Sequence, residues 1–171
     1  KLASRGFPPI AAADARVLIL GSLPGVASLA AGQYYAQPHN AFWRIMGELF
    51  DAGPDVPYAG RADRLRASGI ALWDVCREAV RPGSLDAAID LKTVVTNDFE
   101  RFFSEHPRIA HVCVNGGTAH RLYLRRVQPI LPARLSSLPL HLLPSTSPAH
   151  ASLRFAQKLE RWRVLDGLLA G

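Results

Sequence analysis

Only two cysteines, Cys76 and Cys113, occur in the 171 residues. That is too few for a disulfide framework or a cysteine-ligated iron–sulfur cluster, and two reduced, buried thiols of an intracellular protein are expected. No segment is long and apolar enough to span a membrane, although 49% of the residues are hydrophobic. Lys1 to Ala15 carries no signal-peptide pattern. The six histidines are scattered, and no spacing of His, Cys, Asp and Glu marks a metal site. Gly-Lys-Ser/Thr and Gly-x-Gly-x-x-Gly are both missing, which excludes the nucleotide-hydrolase phosphate loop and the dinucleotide fingerprint. No Gly-x-Ser-x-Gly elbow presents a nucleophile. Repeats, low-complexity segments and internal linkers are also lacking. Lysine is scarce: Lys1, Lys92 and Lys158 are the only ones, and the rest of the twenty basic residues are Arg.

The basic balance itself is informative. A formal charge of +6 and a pI near 9.9 point to an anionic partner. Arginine offers a planar fork for phosphate and a surface that stacks on bases. On a helical reading, Arg121 and Arg125 lie one turn apart, and Arg154, Lys158 and Arg161 make a second basic stripe. The length suits a single domain, residues 1–171, with a substantial core.

The chain is organised around Arg16 to Phe50. Val17-Leu18-Ile19-Leu20, ended by Gly21-Ser22-Leu23-Pro24-Gly25, reads as a buried strand of a parallel sheet breaking into a turn. A loop, Gln33 to His39, leads to a helix opening at Asn40, in which Phe42, Ile45, Met46 and Leu49 share one face. Further strands are expected at Ile70–Val75, His111–Asn115 and Pro139–Leu143. Helices are expected at Arg61–Ala67, after Asn97, from Thr118 to Val127, and from Ser152 to Leu169. Asn97 and Glu100 have capping-box spacing ahead of Phe99, Phe102 and Phe103. Arg77 to Lys92 is mixed, with a short helix near Leu85–Asp90. Strands alternating with helices predict an α/β chain: a three-layer α/β/α sandwich around a four-stranded, mainly parallel sheet. In such sheets ligands bind outside the carboxyl ends of the strands, so those loops should line the site.

Four of those loops carry a specific combination. Gly21-Ser22-Leu23-Pro24-Gly25, Gln33-Tyr34-Tyr35-Ala36-Gln37-Pro38-His39-Asn40-Ala41-Phe42-Trp43, Val114-Asn115-Gly116 and Leu143-Pro144-Ser145-Thr146-Ser147-Pro148-Ala149 follow one another at strand ends. In that order they resemble the uracil-DNA glycosylase superfamily, and most of all its family 6 branch, the hypoxanthine-DNA glycosylases. Gly69–Val75 and Gly83–Ile89 are similar to the same branch. The resemblance covers nearly the whole chain from Arg16 onward.

The resemblance implies a monofunctional enzyme that flips a deaminated base, hypoxanthine and/or uracil, out of DNA and hydrolyses its glycosidic bond. It implies DNA as partner, no cofactor, no metal, no membrane, a monomer, and a cytoplasmic, nucleoid-associated setting. Gly21, Ser22, Leu23, Pro24, Gly25, Tyr34, Tyr35 and Asn115 would surround the base. A tyrosine offers an aromatic platform, and the Asn115 amide offers both a donor and an acceptor to a base edge. Ser145, Thr146, Ser147, Pro148, Ala149 and His150 would contact the backbone and fill the gap in the duplex. Two departures stand out. Leu23 occupies a position where much of the superfamily has a water-handling Asp or Asn, and Ser145 stands where the uracil-specific branch has a His. Asn40 is then the candidate for positioning water; as a helix-opening Asn it also suits a cap. Gly25 replaces a bulky Tyr of the uracil-specific branch, which implies a roomier pocket. Neither Lys92 nor Lys158 lies in a motif, so no Schiff-base nucleophile is expected. A non-catalytic binder of damaged or single-stranded DNA, and a small-molecule hydrolase built on Ser145 or Ser147, are the alternatives.

Overall fold

In the computed structural model, which describes residues 2–171, a short strand β1 (Ser4–Arg5) precedes the central strand β2 (Val17–Gly21). Then come α1 (Val26–Ala31), α2 (Phe42–Phe50), α3 (Tyr58–Ala67), β3 (Ile70–Asp74), β4 (Cys76–Ala79) and β5 (Val95–Thr96). The second half runs α4 (Phe99–Glu105), β6 (His111–Asn115), α5 (Gly117–Leu122), α6 (Ala133–Ser136), β7 (Leu140–Leu143), α7 (Phe155–Trp162) and α8 (Val164–Ala170). The main sheet has the order β3-β2-β6-β7, and every neighbouring pair is parallel. The expected "mainly parallel" sheet is therefore wholly parallel.

Why these strands are apolar without a polar face follows from what covers them. Side chains alternate across a strand. Leu18, Leu20, Ala71, Trp73, Val112 and Val114 join one buried cluster with Phe99, Phe102, Phe103, Leu122 and Tyr123. Val17, Ile19, Ile70, Leu72 and Cys113 join another with Phe42, Ile45, Met46, Leu65, Trp162 and Leu165. Helices thus cover both faces, giving the three-layer α/β/α sandwich. Each large side chain fully buried there contributes about 1.5–3 kcal/mol relative to exposure. Both cysteines are buried and unpaired, and burial pushes their thiols up to about 12.

Several boundaries differ from the sequence expectation, each for a local reason. A second sheet, β1-β4-β5, is antiparallel and was not anticipated. Its outer strands are two residues each, too short to show alternation. Asn97 does not cap α4. Asp98 accepts from Arg101 N at 3.1 Å, while the Asn97 amide donates to the Asp74 carbonyl at 2.7 Å. The single helix expected over 152–169 is two, hinged at Arg163, and begins only at Phe155. α3 starts a turn early, after Pro57, whose fixed φ suits a helix entrance. α5 widens into a π-helical turn at Tyr123–Val127. No helix among the described residues is long and apolar enough to cross a membrane.

Candidate active site

β2, β3, β6 and β7 end at Gly21, Asp74, Asn115 and Leu143, and a cleft of about 550 Å³ opens above the first three of these strand ends. Gly21 to Gly25, Tyr34, Tyr35, Asn40, Asn115 and Ser145 to His150 all line it. The topology therefore brings every candidate residue of the four motif loops into one place. It adds Asp74, Arg81, Ser84 and Asp86, which were not singled out. The Asp74 signal was available, since it ends a strand at the same edge of the sheet. Ser84 and Asp86 lie in a segment noted above for its similarity alone.

One wall is a web of neutral hydrogen bonds. The Asn115 amide donates to Thr146 Oγ1 and accepts from Thr146 N, both at 3.0 Å. Thr146 O accepts from Ala41 N at 3.0 Å, tying the loop to the start of α2. Asn40 Oδ1 accepts from Phe42 N at 2.9 Å, while Asn40 itself lines the cleft. Its oxygen therefore caps Phe42 N through an Asx turn from one position before the N-cap, which is Ala41 rather than the expected Asn40, and its amide N–H groups are left for a ligand. Asn115, by contrast, already uses its oxygen and one N–H to hold Thr146, so only its remaining N–H and lone pair are left for a base. Gly116 needs to be glycine: its φ is +94°, and a Cβ would come within 3.0 Å of Ser145 Cβ. Ser145 Oγ and Ser147 Oγ accept from Ser147 N and Ala149 N, both at 3.2 Å. These are turn-forming hydroxyls, which removes the motive for a serine hydrolase.

The tyrosines divide their work. Tyr34 is core: its hydroxyl donates to Pro8 O at 2.8 Å, and its ring packs on Phe7. Tyr35 sits at φ +54°, an uncommon conformation for a side chain of its size, with its ring stacked on Phe42 at 4.1 Å. Burial and the nearby Asp74 charge push the Tyr35 hydroxyl far above its ordinary value, an effect that the Asn115 side chain moderates.

The opposite wall is charged. Ser22 Oγ donates to Asp86 Oδ1 at 2.7 Å, and Arg81 reaches the same oxygen at 3.4 Å. Arg81 also donates to Pro24 O at 2.5 Å and lies with 2% of its side chain exposed, against 41% for Asp86. Ser84 Oγ accepts from Val26 N at 2.9 Å. These bonds clamp the Gly21–Gly25 turn from outside, while the Leu23 side chain packs into the hydrophobic cluster beneath. Asp74 is 4% exposed, and its Oδ2 has no partner; the same is true of the Tyr35 hydroxyl. Leaving such a group unpaired costs about 1–3 kcal/mol. Burial first, then the Asp86 charge, push the Asp74 carboxyl up to about 7, with Arg81 opposing. Gly21 makes this arrangement possible, because a Cβ there would fall 2.5 Å from Asp74 Oδ1 and 2.8 Å from the Tyr35 hydroxyl.

The basic residues divide in the same way. Arg121 lines the cleft and, with Arg125 and Arg126, an adjoining hollow of about 220 Å³. Lys158 departs from its expected place in an outward stripe: it is 5% exposed, and its Nζ donates to Ser147 O at 3.2 Å. Lys92 does not line the cleft. Among the described residues no three His, Cys, Asp or Glu side chains cluster as metal ligands would.

A parallel sheet whose strand ends carry such a cleft defines a class already known from sequence. The family model for the uracil DNA glycosylase superfamily matches residues 8–166, and the chain belongs to that superfamily. The chain is 33% identical over 163 residues to a hypoxanthine DNA glycosylase of Methanosarcina acetivorans, covering 94% of this chain and 96% of the relative. It is 37% identical over 115 residues to a hypoxanthine DNA glycosylase of Methanosarcina barkeri, covering 66% and 70% of the two chains. The solution NMR structure of an M. acetivorans protein, described as a candidate uracil DNA glycosylase, superposes with a TM-score of 0.78 at 31% identity. That match covers 98% of this chain and 99% of the other.

Proposed function

We propose that this chain is a monofunctional DNA glycosylase that excises hypoxanthine and/or uracil from DNA. The observation that carries the reading is the convergence of all four motif loops on one cleft. At about 550 Å³ the cleft lies inside the range of about 300–1,000 Å³ typical of ligand pockets. A base buried in a duplex is out of reach, so the nucleotide turns out of the stack and enters the cleft. The ring lies near Tyr35, and the Ser145–His150 loop meets the vacated duplex. As the C–N bond breaks, positive charge develops on the sugar, and water adds to the anomeric carbon. Asn40 orients that water through its uncommitted N–H groups; an amide is too weak a base to deprotonate it. Leu23 takes no part in that step. Neither Lys92 nor Lys158 lines the cleft, in keeping with hydrolysis rather than a lysine adduct. The same reading has the enzyme act as a single-domain monomer on the nucleoid, where buried, unpaired thiols suit a reducing compartment.

Labelled oligonucleotides carrying hypoxanthine, uracil or xanthine, as single strands and duplexes, test the reading. The expected result is alkali-labile abasic sites at hypoxanthine, uracil or both, and none at normal bases. Tight binding without base release would instead establish a non-catalytic binder.

A further inference from the structure

The acidic wall of the cleft holds two carboxylates in opposite circumstances. Asp86 is part-exposed, accepts from Ser22 and pairs with Arg81. Asp74 is enclosed at the end of β3, lines the cleft, and has an oxygen with no partner. Pairs of carboxyl groups separated in this way divide acid from base roles in other hydrolases. The groups that face Asp74 are Asp86 and Arg81 from the segment after β4, Tyr34 and Tyr35 from the loop before α2, and Cys76 at the start of β4. Of these, only Arg81 favours the charged carboxylate. Both tyrosine hydroxyls and the Cys76 thiol are held well above their ordinary values, so none of them releases a proton readily. His150, the remaining titratable group near the rim, leans on Ser152.

We propose that Asp74 is the general acid for departure of a purine base from this cleft. The inference rests on the glycosylase reading and deepens it. The bond between C1′ and the purine N9 breaks, and its electron pair passes into the ring. The Asp74 O–H gives its proton to ring nitrogen N7, so hypoxanthine leaves neutral and Asp74 remains as a carboxylate. Water then adds its oxygen to C1′ and loses a proton, and solvent returns one to Asp74. The sum is deoxyinosine plus water going to an abasic sugar plus hypoxanthine. Uracil has no N7 and leaves chiefly as an anion, so its excision depends less on this acid. With the carboxyl poised at about 7, the proton is present at neutral pH and lost above it.

The test is single-turnover release of hypoxanthine and of uracil from one duplex context, for wild type and Asp74→Asn, across neutral and alkaline pH. Wild-type hypoxanthine release should fall about tenfold per pH unit above about 7, with a flatter profile for uracil. Asp74→Asn should slow hypoxanthine release by roughly 10²–10⁴-fold and abolish that pH limb, with a clearly smaller loss for uracil. Equal loss on both bases, or an alkaline limb that persists in Asp74→Asn, overturns the assignment. Should the variant not fold, the wild-type contrast decides alone: parallel profiles for the two bases sink the inference. Wild-type protein that releases neither base overturns the glycosylase reading itself, and this inference with it.

Discussion

The two walls of the cleft are built on opposite terms. The wall made by Asn115, Thr146 and Ala41 is neutral, and its polar groups satisfy one another within about 3 Å. The wall made by Asp74, Arg81, Asp86 and Ser22 is charged and leaves three buried polar atoms of the site unpaired: Asp74 Oδ2, Arg81 Nε and, across from them, the Tyr35 hydroxyl. A satisfied wall fixes where loops sit. An unsatisfied one stores interaction energy that a ligand can release. Substitutions in the charged wall should therefore change stability with pH, and those in the neutral wall should not.

The largest effect should come from the charged wall and should improve stability. Between about pH 4 and 7 the folded protein holds the Asp74 proton, while the unfolded chain, with its carboxyl near 3.9, has let it go. Asp74 thus stabilises the fold fully below about pH 4, and that contribution is lost as pH rises through about 7, on the order of 4 kcal/mol in all. Urea melts should show Asp74→Asn losing less stability than wild type from acidic to alkaline pH, ending the more stable at pH near 8. A pH dependence identical to wild type would show that the carboxyl is ionised throughout.

Next in size, Arg81→Met removes the partner of Asp86 and the donor to Pro24 O. Leaving Pro24 O without its donor should lower stability by about 1–3 kcal/mol and loosen the Gly21–Gly25 turn, since Asp86, being part-exposed, can turn to solvent. A change under about 1 kcal/mol, in the same melts, would place the pair among ordinary surface bridges.

The neutral wall should answer differently. Asn40→Ala should slow the chemical step roughly 10²-fold through lost orientation of water, with DNA affinity nearly unchanged. It should also cost about 1 kcal/mol of stability, since Asn40 caps Phe42 N. Single-turnover rate per folded molecule separates the two roles, and Asn40→Asp keeps the cap while changing the amide. A wild-type rate in folded Asn40→Ala would leave Asn40 as a cap alone.

The smallest expected effect concerns size. Gly25 has φ −78°, which any residue adopts, and an added Cβ would sit 3.2 Å from Ser84 Oγ. Gly25→Tyr should therefore fold and disfavour purine excision over uracil by roughly tenfold or more. Equal losses on the two bases, measured as kcat/KM, would point to disturbance of the Ser84–Val26 bond instead.

How much of this was legible beforehand depended on range. The strands of the main sheet show as short apolar runs because both faces are covered, and Phe42, Ile45 and Met46 show their shared face through helical spacing. The cleft residues of the motif loops were legible because strand ends of a parallel sheet must converge. Asp74 was passed over because nothing local says that its carboxyl is enclosed; that comes from Tyr35 and the Arg81–Asp86 segment folding over it. The commitment of the Asn115 amide to Thr146 spans 31 residues of sequence and was equally invisible. Asn97 misled for a simpler reason: Asp98 next door is an equally good cap, and Asn97 was needed at the end of β3.

The central claim is hydrolytic release of a deaminated base by water held in this cleft. The sharpest test is to incubate excess enzyme with deoxyinosine- and deoxyuridine-containing duplexes, with and without borohydride, and to quantify free base and abasic strand by mass spectrometry. The expected result is free hypoxanthine or uracil in step with intact abasic strands, and no borohydride-trapped adduct. Intact substrate at enzyme excess, or strand scission with a trapped lysine adduct, would contradict it.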